Sequence, residues 1–281
     1  MPSPSPRFPS GDSSPRFPSR DSSPRFPSGD SVGAALRTAG CVFAEDEARL
    51  ILAAARTPDE LAAMVDRRVA GHPLELVVGW AEFRGLRISV APGVFVPRRR
   101  TEFLVEQALA QAPAASVVLD LCCGSGAVGA ALAAALGPVE LHCADIDPAA
   151  VECARRNTAE AGGHVHTGDL FEALPAELRG RVDILAANVP YVPTDEVALL
   201  PSEARDHEPL VALDGGTDGL DLLRRVAAEA LDWLSPAGCL LIETSARQAP
   251  AAVDAFTRSG LTTRLAVSEE LYAQVVIGTR A

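Results

Sequence analysis

Residues 116–136 read Ser116-Val-Val-Leu-Asp120-Leu-Cys-Cys-Gly124-Ser-Gly126-Ala-Val-Gly129-Ala-Ala-Leu-Ala-Ala-Ala-Leu136, an apolar run, a glycine-rich turn and an alanine-rich stretch in that order. The run from Ser116 to Leu121 is short and apolar, as a strand buried on both faces is, and residues 126–136 have the composition of a helix. A strand, a glycine turn and a helix form the opening unit of a doubly wound α/β sheet.

The alternation continues outward from this unit. A helix over 101–111 precedes it. Downstream come a strand at 139–145, a helix at 148–161, a short strand near Val165, a strand at 182–188, a helix at 218–233, a strand at 238–243, a helix at 246–258 and two closing strands. The fold class expected is therefore α/β, a Rossmann-like, mostly parallel sheet with an antiparallel end. Residues 101–281 would form this domain. Upstream, Trp80 to Val96 alternates and carries Gly85 and Pro92-Gly93 as turn signals, so 80–100 reads as a β-hairpin linker. Apolar residues at three and four spacing predict two short helices, Phe43 to Ala55 and Pro58 to Ala70, with Thr57 as N-cap, within a small helical region at 32–79. Residues 1–31 hold three nine-residue units of the form Ser-Pro-Arg-Phe-Pro-Ser-Gly/Arg-Asp-Ser and have no apolar periodicity, so a disordered tail is expected there.

Composition narrows the function classes. The chain has 281 residues, 48% of them apolar, and all 25 of its basic residues are arginine against 37 acids, for a net charge of -12. That acidity gives no electrostatic reason to approach phosphate backbones and weighs against nucleic acid as a partner. The uncharged stretch from Leu121 to Val139 is broken by glycines, and its helical part would rise only ~16 Å, too short for a bilayer. No secretory signal is visible, and the six cysteines form no CxxC pair, so a cytoplasmic protein with reduced thiols and no metal is expected. His164 and His166 alternate on one strand face, which reads as a surface strand in the absence of a third ligand nearby.

The chemistry begins at the glycine turn. A loop of small residues at a helix N-terminus admits a nucleotide-like cofactor, but Asp120 at the strand end would repel the pyrophosphate of a nicotinamide cofactor. S-adenosylmethionine (AdoMet) carries a sulfonium and an ammonium and would be attracted to the same carboxylate. Asp145 ends the second strand, where an acid accepts ribose hydroxyl protons. No GxSxG elbow is present, since Ser125 lies in Cys123-Gly124-Ser125-Gly126. The strand at 182–188 then ends in Asn188-Val189-Pro190-Tyr191, at the sheet edge beside that crevice.

At these residues the sequence resembles the HemK/PrmC family of protein-(glutamine N5) methyltransferases, whose tetrapeptide is Asn-Pro-Pro-Tyr. The resemblance spans about 150 residues and takes in Gly71-His72-Pro73-Leu74-Glu75, Val94-Phe95-Val96-Pro97-Arg98 with Thr101-Glu102, the loop around Asp120, Gly168-Asp169-Leu170-Phe171, Glu208-Pro209 and Ala212-Leu213-Asp214-Gly215-Gly216. It implies that AdoMet is held by Asp120, Cys122, Gly124, Gly126, Asp145, Ile146, Asp169, Leu170 and Asn188. It further implies that Asn188, Val189, Pro190 and Tyr191 carry the reaction, and that Arg98, Thr101, Glu102, Glu208 and Pro209 stand on the substrate side. The Asn188 side-chain oxygen and the Val189 carbonyl would accept the two N–H protons of an acceptor amide, with Tyr191 stacked on its plane. The implied partner is a protein with an accessible glutamine, such as the Gly-Gly-Gln loop of a peptide chain release factor. A nucleic-acid amino-group methyltransferase acting on adenine N6 or guanine N2, and a non-catalytic AdoMet-binding protein, are the alternatives.

Three departures from the family pattern involve four positions. Cys122 replaces the first loop glycine and is expected to resist positive φ. Arg99 and Arg100 replace a proline and an acid, adding two positive charges near the substrate entrance. Val189 replaces the first proline of the tetrapeptide but still precedes Pro190, which keeps its backbone extended.

Overall fold

The computed structural model describes residues 28–281; the expectation of a disordered tail lies outside the described residues up to residue 27. Where the third repeat ends, a helix begins. Ser28 caps α1 (Gly29–Thr38) by accepting the N–H of Ser31, and Val32 and Leu36 bury its inner face. The tail boundary at residue 31 is therefore corrected to a helix start inside the last repeat, because a Ser cap and two buried apolar residues outweigh the turn-like composition of Gly29 to Ser31. Next come α2 (Ala44–Ala54), α3 (Pro58–Val69) and α4 (Leu74–Val78). Thr57 caps α3 as expected, its hydroxyl accepting the Glu60 N–H at 3.1 Å. Leu36, Ile51, Leu61 and Val77 close a separate small core among these four helices.

The hairpin follows as β1 (Trp80–Phe83) and β2 (Leu86–Ser89), paired antiparallel. From there the chain runs α5 (Glu102–Gln111), β3 (Val117–Leu121), α6 (Ala127–Leu136), β4 (Glu140–Asp145), α7 (Pro148–Thr158), β5 (His164–Thr167) and β6 (Val182–Ala187). It continues through the single-turn α8 (Ser202–Arg205), α9 (Asp221–Trp233), β7 (Leu234–Thr244), α10 (Ala249–Arg258), β8 (Thr262–Ser268) and β9 (Ala273–Thr279).

The seven-stranded sheet has the order β5-β4-β3-β6-β7-β9-β8, parallel from β5 to β7 and antiparallel at β9 and β8. This is the expected Rossmann-like architecture. Every residue of β3 is buried, so its apolar run carries no alternation. Two cores cover the two faces, one including Leu104 of α5 and Leu132 of α6, the other Leu223 of α9 and Phe256 of α10. After β3 the chain builds outward to β4 and β5, then returns to place β6 on the other side of β3. That reversal opens a crevice at the carboxyl ends of β3 and β6. No helix among the described residues is long and apolar enough to cross a membrane.

Candidate functional site

The crevice contains a cavity of about 680 Å³. Its floor is the glycine turn between β3 and α6. Asp120 is 1% exposed, and its Oδ2 accepts the Gly129 N–H at 2.8 Å. Burial pushes its carboxyl up to about 8, against the pull of the Gly129 N–H and with the Asp145 charge adding to the rise. Asp145, at the end of β4, accepts the Gly124 N–H on one oxygen and the Asp147 N–H on the other, at 2.8 and 2.9 Å. Burial raises its pKa too, and those backbone donors oppose the rise. Two acids packed into one dry floor favour a cation above them and disfavour an anion.

The loop takes its shape in an unexpected way. Cys122 adopts φ +55° despite its Cβ, so the expected resistance to positive φ is overridden by the surrounding packing at a cost of about 1–2 kcal/mol. Leu170, at φ +48°, is a second non-glycine residue in this region that lines the cavity. Cys122, Gly124, Ile146 and Asp169 line it as well, with Ile146 offering a half-exposed apolar surface and Asp169 paired to Arg225 at 2.8 Å.

Two of the expected residues stand elsewhere. Gly126 does not line the cavity: a Cβ there would sit 3.0 Å from the backbone and side chain of Ala154, so the glycine serves close packing of the α6 N-terminus on α7. Glu102 is likewise turned away, its Oε1 accepting the Arg84 N–H at 3.2 Å in the hairpin turn. Glu102 thus organises the hairpin turn at Arg84, through the Arg84 backbone N–H and guanidinium, and not the crevice.

On the opposite wall, Asn188, Val189, Pro190 and Tyr191 follow β6 and line the same cavity. The Asn188 Nδ2 donates to the Thr101 hydroxyl at 3.5 Å, while its Oδ1 is buried with no hydrogen-bond partner. The motif is held from behind. Gln248 donates through Nε2 to the Tyr191 carbonyl at 2.8 Å and to the Asp218 carbonyl at 2.9 Å, and its own Oε1 accepts from the Ser245 hydroxyl. The segment around Gly215 pairs back onto Val192, with N–H to carbonyl bonds of 2.8 and 3.0 Å. Gly219 closes the same turn at φ +74°, where a Cβ would sit 2.2 Å from the Tyr191 carbonyl oxygen.

Arginines frame the mouth. Arg98 pairs with Glu208, whose carboxylate is almost fully buried and keeps one oxygen unpartnered, and lies 5.3 Å over the Phe95 ring. Burial raises the Glu208 pKa, and Arg98 opposes the rise. Pro209 lines the cavity beside it. Arg100 donates from Nε to Glu243 at 2.9 Å, bonds the Tyr191 hydroxyl and lies 5.6 Å from that ring's centroid. Burial pushes the Tyr191 phenol up to about 12, with the Glu243 charge adding, so it stays neutral. Gln248 and Glu243 were not anticipated from the sequence; Glu243 is 143 positions from Arg100, and no local pattern links them.

Among the described residues, no group of three or more His, Cys, Asp or Glu is arranged to hold a metal ion. The arrangement instead suits a cationic cofactor over the two buried acids and a planar group with N–H donors at Asn188.

Residues 85–199 match the family described as "Methyltransferase small domain". The release factor glutamine methyltransferase of Geobacter sulfurreducens is 40% identical over 208 residues, 72% of this chain and 72% of that protein. The 4-amino-L-phenylalanine/4-methylamino-L-phenylalanine methyltransferase of Streptomyces pristinaespiralis is 36% identical over 203 residues, 70% of this chain and 69% of that one. A methyltransferase from Pyrococcus furiosus has a similar solved structure, with a TM-score of 0.54 and 16% identity over 70% of this chain and 90% of that chain. That likeness is one of fold.

Proposed function

The chain belongs to the family of release factor glutamine methyltransferases, and on that premise we propose that it moves the methyl group of AdoMet to the side-chain nitrogen of a protein glutamine. The observation that carries this reading is the Asn188 Oδ1, a buried acceptor without a partner on the wall of the cavity. A buried acceptor is costly unless something donates to it. An acceptor amide has two N–H groups to offer, one for Asn188 Oδ1 and one for the Val189 carbonyl.

When bound, AdoMet supplies an electrophilic methyl on a positively charged sulfur. Asp120, Asp145, the Gly124 backbone, Ile146, Asp169 and Leu170 would hold it, and the buried acids at its floor fit its charge. An amide nitrogen is a weak nucleophile because its lone pair is delocalised into the carbonyl. Fixing both N–H directions turns that lone pair towards the cofactor, and orientation is the main contribution of Asn188 and Val189. Thr101 fixes the Asn188 amide through its Nδ2, and Gln248 fixes the Tyr191 backbone. The methyl replaces one hydrogen of the nitrogen, and that proton leaves to solvent.

The relatives' name points to a release factor as the acceptor protein, and a glutamine preceded by two glycines suits a narrow cleft because no side chain on that side obstructs entry. A second reading takes an aromatic amine as the acceptor. The Streptomyces pristinaespiralis relative carries such a substrate in its name, and Arg100 beside Tyr191 offers a cation to a small acid. Incubation with AdoMet followed by peptide mass spectrometry tests both. A gain of about 14 Da, one CH₂, on the release-factor glutamine supports the first reading. A gain on 4-amino-L-phenylalanine alone supports the second, and a methyl found only in nucleic acid refutes both.

A further inference from the structure

A second cavity, of about 630 Å³, adjoins the first and shares Arg100 and Tyr191 with it as a common wall. It opens where β7 ends and the β8–β9 turn begins. Three of its lining residues, Glu243, Thr244 and Gln274, each carry a buried polar atom with no partner: Oε2, Oγ1 and Oε1. The Glu243 side chain is 3% exposed, and Arg100 engages only its Oε1. Thr244 and Gln274 face each other across the β7–β9 ladder.

Buried polar groups are normally satisfied, so three unpartnered atoms around one void indicate that something absent from the isolated chain donates to them. A carboxylate oxygen and an amide oxygen accept only, and a hydroxyl accepts as well. The missing group is thus a donor. Charge points the same way: Glu243 and Glu269 line the cavity against a single cation, Arg100, and Glu269 forms no ion pair among the described residues. An anion would meet two carboxylates. The remaining walls include Val267, Ala246 and Ala273, which suit the aliphatic stem of a long basic side chain whose charged end is held by acceptors.

We propose that this second cavity binds the guanidinium or ammonium of a basic side chain next to the acceptor glutamine, using Glu243 and Gln274 as hydrogen-bond acceptors. The inference rests on the glutamine reading of the first cavity, since Tyr191 is the wall between them. It assigns the protein a preference among glutamine-containing sequences.

The test uses the full chain and three short peptides in which the glutamine follows two glycines, as in the proposed acceptor loop, and the residue after it is arginine, norleucine or glutamate. Calorimetric binding is measured with S-adenosylhomocysteine present, and methyl transfer is measured on the same peptides. The arginine peptide should bind about tenfold tighter than the norleucine peptide, and the glutamate peptide weakest, the scale for gaining one charged hydrogen bond. Glu269→Gln and Gln274→Leu should each narrow the arginine-over-norleucine ratio at least threefold. Equal affinities for the three peptides, including no binding of any, overturn the subsite, as does a ratio that neither variant changes; ordered water would then account for the unpartnered atoms. If the arginine peptide binds preferentially but receives no methyl, the subsite stands and the glutamine reading fails.

Discussion

Asn188 follows β6 with one polar atom tied to Thr101 and the other without a partner, and its proposed use is in turnover, not in cofactor affinity. Asn188→Ala should leave AdoMet affinity within a few-fold and lower the transfer rate about a hundredfold or more, the usual scale for one well-placed polar group in a transition state. Titration calorimetry beside single-turnover transfer measures both, and an unchanged rate would remove the amide clamp. Asp120 makes a different prediction, in pH. Its carboxyl is raised by burial to about 8, so the ligand-free protein holds a proton there that the unfolded chain has released. Its contribution to stability is therefore lost as pH rises from about 4 to about 8. A cation above it favours the ionised form, so AdoMet binding should tighten with rising pH, by up to about tenfold per unit below about 8, and should release a proton. Asp120→Asn should bind more weakly and flatten that dependence. A wild-type affinity that does not vary with pH would show that Asp120 does not face the cation. At Cys122, composition suggested an awkward residue for the turn, and the backbone takes the left-handed conformation regardless.

At the scale of elements, the edge of the sheet carries a second titrating group. His142 of β4 places Nδ1 2.9 Å from Nε2 of His166 on β5 and Nε2 3.2 Å from Glu140, which also pairs with Arg181. His164 stacks on His142 with ring centroids 5.0 Å apart. Burial is the leading cause that lowers the pKa of both His142 and His166, so they are kept neutral in the fold. The unfolded chain takes up those protons first as pH falls below about 6.5, and stability is lost from there downward. Melting temperature should accordingly fall more steeply between about pH 7 and pH 5.5 in the wild type than in His142→Phe, and parallel curves would refute the assignment. The strands and helices from β3 to α7 were legible in the sequence because buried parallel strands and Ala-rich helices have strong compositional signals. The helix α1 was not, since Gly29-Asp30-Ser31 reads as turn and only the buried Val32 and Leu36 decide it. β7 begins at Leu234, four residues before the expected Gly238, because an irregular register with β6 carries it past Pro236. Within the candidate site, the places of Asp120 and Asp145 were legible from the strand ends, and the Asn188 tetrapeptide stood out through the family resemblance together with its place beside the crevice. The Arg100–Glu243 pair and the Gln248 brace were not, because tertiary closure makes those contacts and no spacing along the chain encodes them.

Across the whole molecule, the helical region at α1–α4 reaches the crevice through α3 and α8. Arg68 of α3 binds Glu47 of α2 at 2.6 Å, with both side chains nearly buried, and reaches Glu203 of α8 at 3.0 Å. His72 packs against His207 with ring centroids 4.5 Å apart, one residue before Glu208 at the cavity mouth. Arg68→Ala leaves Glu47 buried without its cation and should cost about 3–5 kcal/mol in stability, seen by denaturant titration. In the protein that remains folded, KM for a protein acceptor should rise while AdoMet affinity is kept; an equal loss of both would show that Arg68 only supports folding. The order of strands sets a schedule as well. β9 follows β8 in the chain yet lies between β8 and β7, with Val275, Val276 and Ile277 fully buried on both sides of the sheet. During synthesis, therefore, β8 has no sheet to join until residues 273–279 have left the ribosome, and the β7 edge stays bare until then. A nascent chain stalled before Ala273 should remain open to protease across β7 and α10 although β3 to β7 are already made. The domain is completed from the middle of its sheet, when β9 enters between β7 and β8.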